Sequence, residues 1–185
     1  MSEPDSRRGR LLVAAPSLTD DNFVRSVVLV LEHNDEGSLG LVLNRPSGLS
    51  AEEALPERIS GLLPEGEQIH RGGPVQPEAV IVLADFVAPE HAASIAFDTV
   101  GIVDPDGDLD DLHSHVRTAR AFGGYAGWGA GQLEREIEEE AWIDATGQAD
   151  DVFTLEPAEL WSRVLDRKGG SYRLVARMPD DPSLN

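Results

Sequence analysis

Gly123-Gly124-Tyr125-Ala126-Gly127-Trp128-Gly129-Ala130-Gly131-Gln132-Leu133-Glu134 decides how this chain is read. Five glycines surround a Tyr and a Trp, and an amphipathic pattern follows at once. The expectation is a tight loop feeding a helix, placed where backbone passes close to something. Ala130, Leu133, Ile137 and Ala141 recur at helical spacing and form one apolar stripe. Glu134, Glu136, Glu138, Glu139 and Glu140 lie mostly off it. The like-charge pairs Glu134/Glu138 and Glu136/Glu140 each cost about 0.2–0.5 kcal/mol, which packing of the stripe must outweigh. A phosphate cradle here is weakly supported. The dinucleotide fingerprint needs a glycine where Gln132 stands, the P-loop lysine is absent, and Glu134 and Glu136 repel an anion. The plainer reading is that the glycines let backbone pack against Trp128 or a neighbouring segment.

Working outward, Ala119 to Phe122 reads as a strand entering that loop. Leu11 to Ala15, Val27 to Leu31 and Leu39 to Leu43 read as strands, the last two joined as a hairpin through the polar turn 33–38. The last two are apolar on nearly every residue, which places them in a sheet covered on both faces. Gly72-Gly73-Pro74 marks a sharp turn before a strand at Val80 to Leu83. Ile95 to Phe97 and Ile102 to Val103 are short strands. Ser50 with Glu53 forms a capping box for a short helix that Pro56 limits, and a second helix runs over 57–63. Leu109 to Val116 is helical. Trp142 to Ala145 and Val152 to Leu155 read as a hairpin, and Pro157 to Arg167 as a helix stopped by Gly169-Gly170.

The chain has 185 residues, which suits a single domain, and no cysteine, which excludes disulfides, thiolate metal sites and cysteine nucleophiles. Its net charge of −19, from 34 acidic and 15 basic side chains, repels phosphate backbones. Arg7, Arg8 and Arg10 make the only basic cluster, next to an N-terminal tail. The apolar run behind them is too short for a signal peptide, and no stretch matches a membrane span. The expectation is a cytoplasmic protein with flexible tails at 1–9 and 179–185 around one domain over 10–178.

The chemistry-bearing constellations are sparse. Asp104, Asp106, Asp108 and Asp110 alternate as calcium ligands do, but an EF-hand would put Gly and Glu where Leu109 and His115 stand. A β-turn with Asp108 capping the next helix is preferred. His113 and His115 point about 200° apart on a helix and cannot share a metal there. Neither Ser17 nor Ser26 has a nucleophile-elbow context. Arg25 enters an apolar strand and calls for a carboxylate partner, with Asp20, Asp21 or Glu32 available. Asn44, before Arg45 and Pro46, has a side chain suited to holding a turn.

Gly9-Arg10-Leu11-Leu12-Val13-Ala14-Ala15-Pro16-Ser17-Leu18, Asp21, Phe23, Arg25-Ser26-Val27, His33, Gly37, Gly40, Leu43-Asn44-Arg45-Pro46, Gly72-Gly73-Pro74-Val75, the glycine stretch through Glu136, and Trp142 together resemble the YqgE/AlgH family of bacterial proteins. The resemblance spans about residues 9 to 176 and is specific as a combination. It implies an α+β fold in which a small closed β-barrel continues into a bifurcated sheet flanked by helices. It brings no catalytic residues, no cofactor and no metal. Some members carry a transcriptional-regulator label from an association with alginate regulation, which sits uneasily with the acidic charge. The functional expectation is a non-enzymatic regulatory or binding protein acting through a protein partner or small ligand. Its candidate surface comprises Arg25, His33, Asn44, Arg45, Tyr125, Trp128 and Gln132. A hydrolase with a site near His33 and the 123–132 glycine loop is the alternative. Direct DNA binding comes last, because it needs a basic patch able to overcome the overall charge.

Overall fold

A computed structural model describes residues 6–180. Its strands are β1 (Arg10–Ala14), β2 (Val27–Asn34), β3 (Gly37–Val42), β4 (Pro46–Ser50), β5 (Gln68–Arg71), β6 (Val75–Phe86), β7 (Ser94–Phe97), β8 (Val100–Ile102), β9 (Val116–Gly129) and β10 (Trp142–Thr146). The helices are α1 (Ala51–Ala54), α2 (Glu57–Ser60), α3 (Leu109–Leu112), α4 (Gln132–Glu138), α5 (Ala149–Val152), α6 (Leu160–Lys168) and α7 (Tyr172–Val175). The strands pair in the order β10-β1-β2-β3-β9-β6-β8-β7, with β5 joining β4 to β9. This is a mixed α+β fold on a large, mainly antiparallel sheet. The closed barrel implied by the resemblance is not formed: among the described residues the terminal strands β10 and β7 do not pair, so the sheet stays open.

The apolar strands behave as their composition dictates. Leu11 and Val13 of β1, with Val27, Leu29 and Leu31 of β2, enter one core with Trp161, Val164 and Leu165 of α6. The alternate residues Leu12, Ala14, Val28 and Val30 enter a second core on the other face, with Trp128, Leu133 and Trp142. Period-2 alternation sends successive side chains to opposite faces, so both must be apolar where both are covered. A third core packs Ala51, Leu62 and Leu63 with Leu109 and Leu112 against Val82, Ala84 and Phe86 of β6.

The glycine stretch is strand, not loop. Most of it forms the second half of β9, and only Gly131, at φ +69°, turns the chain into α4. β9 pairs with β6 between Val116 and Tyr125 and with β3 over Ala126 to Gly129. Ahead of Ala126, β3 and β9 part, and the end of β5 enters the fork to pair with Phe122 and Gly123. The Val42 N–H donates to the Gly72 carbonyl, and the Gly72 N–H to the Gly123 carbonyl, each at 2.8 Å. Glycine is required there. A Cβ on Gly72 would lie 2.2 Å from the Gly124 carbonyl oxygen, and one on Gly73 2.1 Å from the Tyr125 carbonyl carbon.

Other expectations shift locally. Val152 to Leu155 is not a strand: β10 pairs with β1 instead, and the Gln148 N–H, bonded to Asp151 Oδ2 at 2.8 Å, starts α5. Ser50 precedes α1 without a side-chain cap. α3 ends at Leu112, followed by a 3-10 turn at His113–His115. The aspartate run is a turn: Asp104 Oδ1 accepts from the Asp106 N–H at 3.0 Å, and Asp108 Oδ1 from the Asp111 N–H at 3.1 Å. Residues 1–5 and 181–185 of the expected tails lie outside the described residues, whereas Arg7 and Arg10 both ion-pair with Asp144.

Candidate functional site

The expected surface divides among separate places. Asn44 is 8% exposed and clamps the start of β2: its Oδ1 accepts from the Val27 N–H at 3.0 Å and its Nδ2 donates to the Arg25 carbonyl at 2.9 Å. That clamp fixes Arg25 at φ +53°. The Arg25 side chain turns to the C-terminal segment, with its guanidinium carbon 4.0 Å from the Trp161 ring centroid and Nε 2.9 Å from Asp180 Oδ1. Its carboxylate partner is therefore Asp180, not Asp20, Asp21 or Glu32. Tyr125 is half-buried against the first core.

Trp128 is 7% exposed and belongs to the second core, so it is not a surface group. Its ring meets Trp142 edge-on at 5.9 Å, beside Phe23. Glu136 explains why α4 is so acidic. Its Oε2 accepts from both indole N–H groups, Trp128 and Trp142, each at 2.9 Å, and its Oε1 from the Gln132 amide Nε2 at 3.0 Å. Gln132 Oε1 in turn accepts from the Gly129 N–H at 3.0 Å. Glu134 remains 44% exposed at its side chain, with Oε1 3.2 Å from His33 Nε2, while His33 Nδ1 is 2.7 Å from Ser38 Oγ. Ser38, His33 and Glu134 thus make a Ser–His–carboxylate chain. The His33 side chain is only 5% exposed, and Ser38 lies on β3 between paired neighbours His33 and Trp128.

Of the expected residues, only Arg45 lines the cleft at the fork. This cleft has a volume of about 460 Å³ and includes Asp21, Asn22, Val42, Ser47, Leu49 and Ile69 in its walls. His70, Arg71, Gly73, Pro74, Pro77 and Gly123 complete the lining. The pairing of β4 with β5 puts Pro46 opposite His70, and the Arg71 N–H donates to the Arg45 carbonyl at 2.7 Å. Arg45 Nη2 donates to the Val24 carbonyl. Burial of the Arg45 guanidinium pushes its pKa down.

His70 is 2% exposed. Burial first, then the nearby Arg120 guanidinium, pushes its pKa down to about 4, against the opposing pull of Glu67 and the Gln68 carbonyl. The imidazole is therefore neutral at pH 7. Its Nδ1 lies 3.3 Å from the Gln68 carbonyl, which can only accept, so Nδ1 carries the proton and Nε2 is an acceptor. That Nε2 is buried with no hydrogen-bond partner among the described residues. Beneath it, Arg120 is 3% exposed, bonded to Glu67 at 3.0 Å and to the Thr154 carbonyl at 2.7 Å. Sequence reading missed His70 and Arg71. Their only local signal is their place just before Gly72-Gly73-Pro74.

Among the described residues no group of three or more His, Cys, Asp or Glu side chains is arranged to hold a metal, and no helix is long and apolar enough to cross a membrane. A family model described as AlgH-like matches residues 11–173. A UPF0301 protein of Streptomyces coelicolor is 42% identical, covering 100% of this chain and 98% of the relative. One from Thermobifida fusca is 43% identical, covering 97% and 96%. Among solved structures, a Corynebacterium diphtheriae protein superposes with a TM-score of 0.87 at 26% identity, over 96% of this chain and 95% of that one. The AlgH protein of Pseudomonas aeruginosa gives 0.71 at 31% identity, over 97% of each. By sequence along nearly its whole length and by fold, the chain belongs to the AlgH-like family.

Proposed function

We propose that this chain is a non-enzymatic cytoplasmic binding protein whose small ligand seats in the cleft at the sheet fork, with any regulatory output passing to a protein partner. The observation that carries the reading is the cleft's construction. Glycines 72, 73 and 123 keep side chains out of the fork, and Arg45, His70 and Arg71 converge on the cleft lining. A preformed cleft with a few convergent polar groups is the default place for a small ligand. The polar lining suits binding rather than proton transfer: a guanidinium does not titrate near pH 7, and the His70 imidazole is already neutral there. The net charge of −19 disfavours direct DNA contact. Amide chemical-shift mapping with a mixture of small organic fragments tests this. Val42, Arg45, Ile69 to Gly73 and Gly123 should shift together, and Leu49→Trp at the cleft wall should abolish the response. Shifts confined to other faces, or unaffected by Leu49→Trp, count against it.

The Ser38–His33–Glu134 chain favours the hydrolase alternative by its distances alone. Attack by Ser38 would need backbone donors for an oxyanion, and its strand is engaged on both sides. Labelling of Ser38 by a fluorophosphonate, abolished in His33→Gln, would overturn the non-enzymatic reading.

A further inference from the structure

We infer that the fork cleft is an oxyanion site, in which Arg45 and Arg71 together hold the carboxylate or phosphate of a small ligand whose apolar body lies against Val42, Leu49, Ile69 and Pro74. This rests on the reading of the cleft as a ligand site and adds the ligand's chemistry.

The first observation is register. The Arg71 N–H to Arg45 carbonyl bond continues the β4–β5 pairing and sets the two arginines directly opposite each other. Directly opposed residues of an antiparallel pair share a face, and like charges there destabilise the pair. Both side chains line the same cleft. The second observation is the absence of compensation. Arg7, Arg10, Arg25, Arg117, Arg120, Arg163 and Arg167 all have carboxylate partners. Arg45 and Arg71 have none among the described residues; nor do Arg8, Arg58, Arg135, Arg173 and Arg177, but Arg45 and Arg71 share one cleft. Two adjacent guanidiniums in one cleft, neither paired with a carboxylate, suit a bound oxyanion. The third is desolvation. Arg45 is half-buried and its only side-chain bond goes to the Val24 carbonyl, so a charged acceptor would replace the water it has lost. The lining's one carboxylate, Asp21, is exposed and pairs with neither arginine, which leaves the wall net positive. A volume of about 460 Å³ suits an amphipathic small molecule.

The test is titration of the full chain, followed by amide shifts, with 4-phenylbutyrate, phenyl phosphate, inorganic phosphate and the neutral 4-phenylbutan-1-ol. The inference expects saturable binding of a phenyl oxyanion, moving the Arg45, Arg71 and Gly73 amides, with the alcohol bound at least roughly tenfold more weakly. The relative affinities of butyrate and phosphate probes decide between carboxylate and phosphate. Arg71→Gln, at an exposed position, should weaken the oxyanion by a similar factor, whereas Arg58→Gln, outside the cleft, should not. Failure of every oxyanion to saturate by roughly 10 mM overturns the inference, as does equal binding to Arg71→Gln. If the alcohol binds the cleft as tightly as the acids, the anion assignment fails and the ligand-site reading stands. If no probe moves a cleft amide, both fail.

Discussion

Replacing Glu136 by Ala should destabilise the fold more than its half-buried position suggests. The carboxylate ends the polar path of two core indoles and one amide: Trp128 Nε1, Trp142 Nε1 and Gln132 Nε2 all donate to it, at 2.9, 2.9 and 3.0 Å. With Trp128 7% and Trp142 4% exposed, Ala leaves two indole N–H groups largely without water. A buried donor stripped of its acceptor costs about 1–3 kcal/mol. Partial solvation of the vacated site offsets some of that. The net expectation is a loss of about 2–4 kcal/mol. At a urea m-value of about 2 kcal/mol/M, the midpoint falls by about 1–2 M. Glu136→Gln sharpens the test. Its amide oxygen can still accept from both indoles, but its NH₂ then faces Gln132 Nε2. Gln132 can flip to accept only by giving up the Gly129 N–H, so the loss should be about 1–2 kcal/mol. Urea unfolding followed by circular dichroism and by tryptophan emission measures both. A Glu136→Ala midpoint within about 0.2 M of the parent would refute the claim that this carboxylate satisfies the aromatic core.

The glycines should divide by geometry: Gly73→Ala should fail to fold or lose several kcal/mol, Gly131→Ala should lose about 1–2 kcal/mol from its positive φ, and Gly129→Ala should be nearly neutral, as thermal melts of the three will show. Arg120→Met, which strands Glu67 and frees the Thr154 carbonyl, should cost about 3–5 kcal/mol in urea, and adding Glu67→Leu should recover part of it. His70 has a folded pKa of about 4, below the unfolded value of about 6.5. The unfolded chain therefore takes the proton first as pH falls. The stability is complete above about pH 6.5 and drains away toward pH 4, by about 2 kcal/mol between pH 7 and pH 5. His70→Leu should lose that extra slope, and parallel stability–pH curves for parent and variant would contradict the depressed pKa.

What could be read in the sequence depended on whether its cause was local. Val27 to Leu31 and Leu39 to Leu43 announced a sheet covered on both faces because burial on both sides demands apolar residues without alternation, and the two cores on either side of β2 and β3 are that cause. Leu133 was placed correctly in the core by helical spacing, and Ile137 packs at its margin. The glycine stretch was misread because glycine is permissive in loops and equally necessary where strands crowd. Only the long-range approach of Gly72 and Gly73 to β9 tells the two apart. Val152 to Leu155 failed for a related reason, since a short apolar run carries no period and a capping contact decided it. At the site, Arg45 was visible as a polar residue ending a strand. Its partners His70 and Arg71 come from β5, and a single chain does not display the register that unites them.

The fork and the cleft follow from one packing requirement. β9 must leave β3 to stay with β6, and the gap between β3 and β9 has to be spanned by backbone, because an unpaired peptide group inside a sheet costs as much as a lost hydrogen bond. Gly72 spans it, accepting from Val42 and donating to Gly123. A side chain on Gly72 or Gly73 would collide with β9. The segment that spans the fork therefore cannot also fill the space beside it, and the flanking residues of β4 and β5 are left to line a hollow. In an ordinary strand pair those flanking positions would hold β-branched or oppositely charged residues, which stabilise the pairing. Here they hold two arginines. The hollow is explained by backbone geometry alone, but the charge placed in it is not, and that residue choice is what the proposed oxyanion site rests on.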